Sequence, residues 1–198
     1  MMACDWIQSE VFKQIITDLK EDYIFISLEE AHKHIDNDLF RFKNFAVLTA
    51  DDGWASVLSI LSWLDQQSIP LTLFLTPQYF DRVHFRTTKD EKYVTEDDLI
   101  MVVSKFPLVS FGMHGWTHDD VTKQTEPEFI ENVNNCRQSL SKYQCFIPYF
   151  AYTWGHYNRM NTLVLNSNRI IPVLMDGCKN YNDASCIHRE FLEGNNTY

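Results

Sequence analysis

Three short segments hold most of the side chains able to do chemistry. Thr49-Ala-Asp-Asp-Gly53 sets two adjacent carboxylates at a glycine turn, and His114-Gly-Trp-Thr-His118 sets two imidazoles at i and i+4. Phe150-Ala-Tyr-Thr-Trp-Gly155 is an aromatic-rich turn ending in glycine. In a helix or a tight turn, the histidine spacing brings both rings to one face. Two neutral imidazoles and one carboxylate leave positions open on a divalent ion for water and substrate. A second carboxylate beside that water can act as general base, because the ion lowers the water's pKa. Successive residues leaving a strand point in opposite directions, so Asp51 and Asp52 can divide these tasks. Each segment alone has an ordinary reading. Asp-Asp-Gly is commonly a solvated turn capping a helix, and H-x-x-x-H without the glutamate of H-E-x-x-H arises by chance. Their coincidence at the ends of separate strands carries the functional reading.

The elements that position them follow from periodicity. Trp6, Ile7, Val11, Ile15, Ile16 and Leu19 recur at helical spacing, and Ser27 with Glu30 reads as a capping box opening a second short helix. Phe45 to Thr49 predicts a buried strand, Trp54 to Gln67 a helix, and Leu71 to Thr76 a second strand stopped by Pro77. Gln78 to Lys92 is polar and charged and reads as a long loop of the kind that sits over a site. Thr95 caps a helix to about Lys105, and Leu108 to Phe111 is a third strand. Thr125, with Glu128 and Pro127, opens a helix to about Ser141. Phe146 to Tyr152, Asn158 to Asn168 and Ile170 to Met175 then read as strand, helix and strand. Alternating strands and helices predict an α/β fold of parallel βαβ units, with the chemistry at the carboxyl ends of the strands.

Composition narrows the function classes. The 198 residues suit one domain spanning 1–198, and the chain is 45% hydrophobic, enough for a core without disulfides. Lys and Arg number 17 against 27 Asp and Glu, a net charge of −10 that argues against nucleic acid and anionic membrane surfaces. No apolar run reaches the ~20 residues of a membrane helix. Cys4, Cys136, Cys145, Cys178 and Cys186 are odd in number with no C-x-x-C pair. With an N-terminus unlike a secretory signal, they fit thiols in a reducing, cytoplasmic setting. Asn195-Asn196-Thr197 matches a glycosylation acceptor, which that setting leaves unused.

Read together, the motifs resemble those of the polysaccharide deacetylase family, the NodB-homology or carbohydrate esterase family 4 domain. Thr49-Ala-Asp-Asp-Gly53 resembles its first motif, usually T-F-D-D-G, and His114-Gly-Trp-Thr-His118 its second, usually H-[ST]-x-x-H. Phe150 to Asn158 resembles the F-A-Y-P-Y-G-x-Y-[ND] form of the third, and the resemblance runs over roughly residues 6–175. It implies a distorted (β/α) barrel of the NodB-homology type with seven or so strands. The chain ends early for this family, which points to a shortened C-terminal end. The implied activity is hydrolysis of acetyl groups from an acetylated sugar or glycan with one divalent ion, often zinc. By motif match Asp52, His114 and His118 would bind the metal, Asp51 would be the general base, and the Trp154 N–H would help hold the oxyanion.

The chain departs from the family pattern at several positions. Ala50 replaces a phenylalanine, Gly115 the Ser/Thr that ties the histidine turn, and Thr153 and Trp154 a Pro and a Tyr. Ala151 stands where many members carry an arginine that steadies the base. The late L-x-H motif, source of the acid in many members, is matched only by Cys186-Ile-His188. His188 is therefore the candidate acid, expected within about one water's reach of the ion's water. Asp176 is read as a turn residue before Gly177 rather than its partner, and His156 as a surface residue. Two other functions compete: a degenerate member that binds carbohydrate or metal without catalysis, and a two-His-one-carboxylate iron oxygenase. Asp51 weighs against the oxygenase, which has no use for a base there. No Ser or Cys lies in a nucleophile elbow.

Overall fold

The computed structural model describes residues 9–35, 44–82, 92–177, 185–190 and 192. Six strands form one parallel sheet in chain order: β3 (Leu48–Ala50), β4 (Leu71–Leu75), β5 (Val109–Met113), β6 (Phe146–Ala151), β7 (Ile171–Leu174) and β8 (Ile187–His188). Because every pairing is parallel, all six strands deliver their next residues to the same end. Helices α3 (Leu58–Gln66), α4 (Glu96–Lys105), α5 (Glu126–Leu140) and α6 (Arg159–Ser167) are the crossovers. Helix α1 (Ser9–Asp22) buries Phe12 and Ile16 into the same core as Leu61, Leu73 and Phe111. All five residues of β4 are buried, as expected of a strand covered on both faces. Phe74, Tyr149 and Val173 form a second cluster with Leu28 of α2 (Leu28–His34).

The predicted caps form. Ser27 accepts from the Glu30 amide, and Thr95 with Asp98 and Thr125 with Glu128 make reciprocal capping boxes. Two expected boundaries change. The stretch 45–49 is not one strand: β2 (Phe45–Ala46) pairs with β1 (Ile24–Phe25) in a separate two-stranded sheet, and the chain steps across at Val47 to begin β3. The helix read from Trp54 starts as a 3-10 turn over Ala55–Val57. Trp54 instead bridges Tyr93, with the Ala55 N–H bonded to the Lys92 carbonyl. Where seven or so strands were expected in the barrel, the main sheet has six among the described residues. Trp6, Ile7, Cys4, His84, Cys178, Asn195 to Thr197 and the middle of the expected 78–92 loop lie outside the described residues.

Candidate metal centre

The first motif leaves β3 through a sharp turn. Asp52 and Gly53 both have left-handed backbones, with φ of 70° and 86°. An aspartate tolerates this conformation better than most residues, and a Cβ at Gly53 would press on Leu75 Cδ2 at 3.0 Å. The reversal sends the two carboxylates to different partners. Asp52 Oδ1 lies 3.1 Å from His114 Nε2 and 3.0 Å from His118 Nε2. Its other oxygen accepts from the Trp54 indole N–H at 3.1 Å, and Trp54 stacks on Tyr93 with centroids 4.3 Å apart. One oxygen of Asp52 is thus reserved for the imidazoles.

The donor set fits a divalent ion. His114 Nδ1 donates to the Ala151 carbonyl at 2.8 Å, so in the neutral ring that a cation requires the lone pair lies on Nε2, aimed at Asp52 Oδ1. Asp52 Oδ1 is buried and makes no hydrogen bond, so acceptors converge with nothing to donate between them. One cation at their common focus satisfies all three, and their ligand atoms lie within 4.8 Å of one another.

Asp51 faces a different environment. It is buried, and Arg189 meets it in a two-pronged ion pair, Nη1 to Oδ1 at 2.7 Å and Nη2 to Oδ2 at 2.5 Å. Arg189 Nη1 also donates to Thr49 Oγ1 at 3.0 Å, and the guanidinium lies over the Phe74 ring at 5.2 Å. Burial pushes the Asp51 carboxyl up, yet Arg189, followed by His114, brings it below its ordinary value. The result is an ionised base with fixed orientation. Where Ala151 offers no arginine to steady the base, Arg189 does so from just beyond β8. The sequence put Arg189 directly after the candidate acid, but nothing local to it signalled a partner near residue 51.

The histidine loop is not helical, yet its rings converge, with centroids 5.1 Å apart. Gly115 has φ of 84°, and a Cβ there would sit 2.8 Å from the Thr117 carbonyl. The tie expected from Ser/Thr at 115 comes instead from Asn132 of α5, whose Oδ1 accepts from the Trp116 N–H at 2.7 Å. The third motif adds further braces. Thr153 Oγ donates to the Asp119 carbonyl, the Trp154 indole N–H to the His118 carbonyl at 3.2 Å, and His156 pairs with Asp120. Trp154 is 62% exposed, has φ of 59°, and sets its ring edgewise to His118. A bulky residue held in that conformation marks stored strain of the sort concentrated at functional sites. It lies in a 3-10 turn, whose first N–H groups have no partner within the turn.

His188 ends β8, partly exposed, with Nδ1 2.8 and 2.9 Å from the two oxygens of Asp176. This corrects the reading of Asp176 as a mere turn residue. It follows β7, and the β7–β8 pairing Leu174↔His188 delivers it to the imidazole. His156 is on the surface as read, its side chain 60% exposed.

A family model described as polysaccharide deacetylase matches residues 42–170. Among solved structures, IcaB from Ammonifex degensii superposes with a TM-score of 0.80 at 18% identity, over 98% of this chain and 88% of that one. The Streptococcus pyogenes deacetylase PplD in complex with acetate gives 0.77 at 18% identity, over 94% and 81%. A de-N-acetylase from Aggregatibacter actinomycetemcomitans gives 0.74 at 12% identity, over 100% and 90%. At these identities the likeness establishes the fold: the curled parallel sheet is a distorted barrel of the type these proteins share. No curated protein sequence matches the chain.

Proposed function

The chain belongs to the polysaccharide deacetylase family, and from that premise we propose that it is a metal-dependent hydrolase removing acetyl groups, from nitrogen or oxygen, of a carbohydrate or sugar-containing precursor. The observation that carries this reading is an Asp52–His114–His118 focus of acceptors beside an ionised, arginine-held Asp51. Asp52, His114 and His118 would hold one divalent ion, zinc by this donor set, which when bound polarises an acetyl carbonyl and acidifies water.

The chain's own residues supply the proton transfers. Asp51 accepts a proton from the attacking water, and Arg189, itself held by Thr49 Oγ1, keeps its carboxylate aimed and charged. The Trp154 N–H donates to the oxygen that becomes negative as the acetyl carbon turns tetrahedral. Asp176 holds the Nδ1–H of His188, leaving Nε2 to carry a proton to the departing amine or alcohol. A base oriented this firmly suits hydrolysis and has no task in an iron oxygenase.

The test is metal analysis of the purified protein alongside an acetate-release screen over N- and O-acetylated sugars. One bound divalent ion per chain with acetate release supports the reading. Stoichiometric metal without acetate release from any substrate assigns the chain to the non-catalytic alternative.

A further inference from the structure

The late motif carries a group that the proposed reaction does not use. Cys186 replaces an apolar residue two positions before His188, and its Sγ lies 3.4 Å from His188 Nε2. The opposite ring nitrogen is held by both oxygens of Asp176. The order is thiol, imidazole, carboxylate: nucleophile, base and orienter within hydrogen-bond reach. A carboxylate can only accept, so Asp176 favours the tautomer with its proton on Nδ1, which turns the Nε2 lone pair to the thiol. The other described cysteines differ. Burial pushes the Cys145 thiol up to about 11 and the buried Cys136 thiol higher still. Cys186 is half-buried, as Cys145 is, so exposure alone does not distinguish those two.

We propose that Cys186 is a reactive-thiol modification site for soft electrophiles and peroxides, and that its modification silences His188. The coupling to activity rests on the reading of His188 as the acid; the reactivity does not. His188 Nε2 takes the thiol proton, and the thiolate sulfur attacks. With an alkyl iodide, a C–S bond forms, iodide leaves and the proton stays on the imidazole. With a peroxide, sulfur attacks one oxygen and the O–O bond breaks. The departing hydroxide takes the imidazolium proton, so sulfur is oxidised to the sulfenic acid and the peroxide is reduced to water. Either adduct fills the space in front of Nε2, the atom that must face the leaving group.

The experiment is timed alkylation of the folded, metal-loaded protein with iodoacetamide at neutral pH, each cysteine peptide being quantified by mass spectrometry. An ordinary thiol is only a few per cent thiolate at pH 7, so proton transfer to His188 should make Cys186 react roughly tenfold faster than Cys145. His188→Gln and Asp176→Asn should each remove that excess and leave Cys145 labelling unchanged. Asp176→Asn keeps the side chain's shape and decides the matter if His188→Gln does not fold. Equal rates at Cys186 and Cys145, or an undiminished Cys186 rate in Asp176→Asn, overturn the site. In a second arm, acetate release should fall in step with Cys186 labelling, and Cys186→Ala should resist inactivation. Full labelling with full activity overturns the coupling. If no substrate releases acetate, the labelling arm still decides the site, so failure of the proposed function is read separately.

Discussion

The left-handed pair Asp52 and Gly53 turns two neighbouring carboxylates into chemically distinct groups. Asp52 is drawn to imidazoles, Asp51 to a guanidinium. Their substitutions should therefore separate. Asp51→Asn keeps the shape but cannot accept a proton, so metal content should persist while acetate release falls ~10²–10⁴-fold. His114→Ala should lose both. Elemental analysis paired with acetate release checks this, and equal metal loss in the two variants would reverse the aspartate roles. Trp54 reserves one oxygen of Asp52 through its indole N–H, so Trp54→Phe should weaken metal affinity ~10–100-fold. Calorimetric titration measures that loss, and an unchanged affinity would show that the bond does not orient the ligand. The Asp-Asp-Gly and His-x-x-x-His signals are legible in sequence because each is local to one turn. The Trp54 bond is less so, since it depends on the strained geometry of that turn.

At the level of elements, the histidine loop is fastened by its neighbours rather than by its own helical bonds. Asn132 from α5, the end of β6 and the turn after it supply the hydrogen bonds that the loop lacks. The substitutions at 115, 153 and 154 read from sequence as gaps in the pattern. In three dimensions Thr153 and Trp154 brace the loop, and Gly115 admits the close approach of Thr117 and Asn132. Such exchanges are invisible to motif reading, because donor and acceptor come from segments far apart in the chain. Asn132→Ala leaves the Trp116 N–H unpaired and should cost ~1–3 kcal/mol in urea unfolding. Gly115→Ala meets both the positive φ and a carbonyl 2.8 Å away. It should destabilise by more than ~1 kcal/mol and weaken metal binding as well. If Gly115→Ala left both unaltered, the loop would be adjustable and the bracing argument would fail.

For the whole molecule, the decisive contact joins the two ends of the sheet. Arg189 follows β8, the last strand, and grips Thr49 of β3 and Asp51 just beyond it, across 138 residues of sequence to the aspartate. The alternation of strands and helices was enough to read the parallel sheet. Its curl was legible only through the family resemblance of the motifs, because closure depends on a partner pair that no local periodicity announces. This ion pair couples the fold to the chemistry. Replacing Arg189 with Met strands a buried carboxylate, which should cost ~3–5 kcal/mol at neutral pH. The pH dependence follows from the direction of the Asp51 shift. In the native protein its pKa is depressed, so its contribution to stability is present above the unfolded value of ~3.9 and lost as pH falls through the lower folded value. In Arg189→Met, burial is no longer opposed by the guanidinium, so the folded pKa rises and ionised Asp51 destabilises the fold at neutral pH. Loss of the guanidinium also lets His114, whose charge Arg189 opposes, protonate more readily, which narrows the gap in the same direction as pH falls. The stability gap, measured by urea unfolding at matched pH, should therefore be widest near pH 7 and narrow towards pH 4. The acid limb of acetate release should move to higher pH in the variant, because Asp51 takes up its proton earlier. Parallel stability curves from pH 7 to pH 4, with an unmoved acid limb, would show that Arg189 holds the sheet closed without setting the charge of the base.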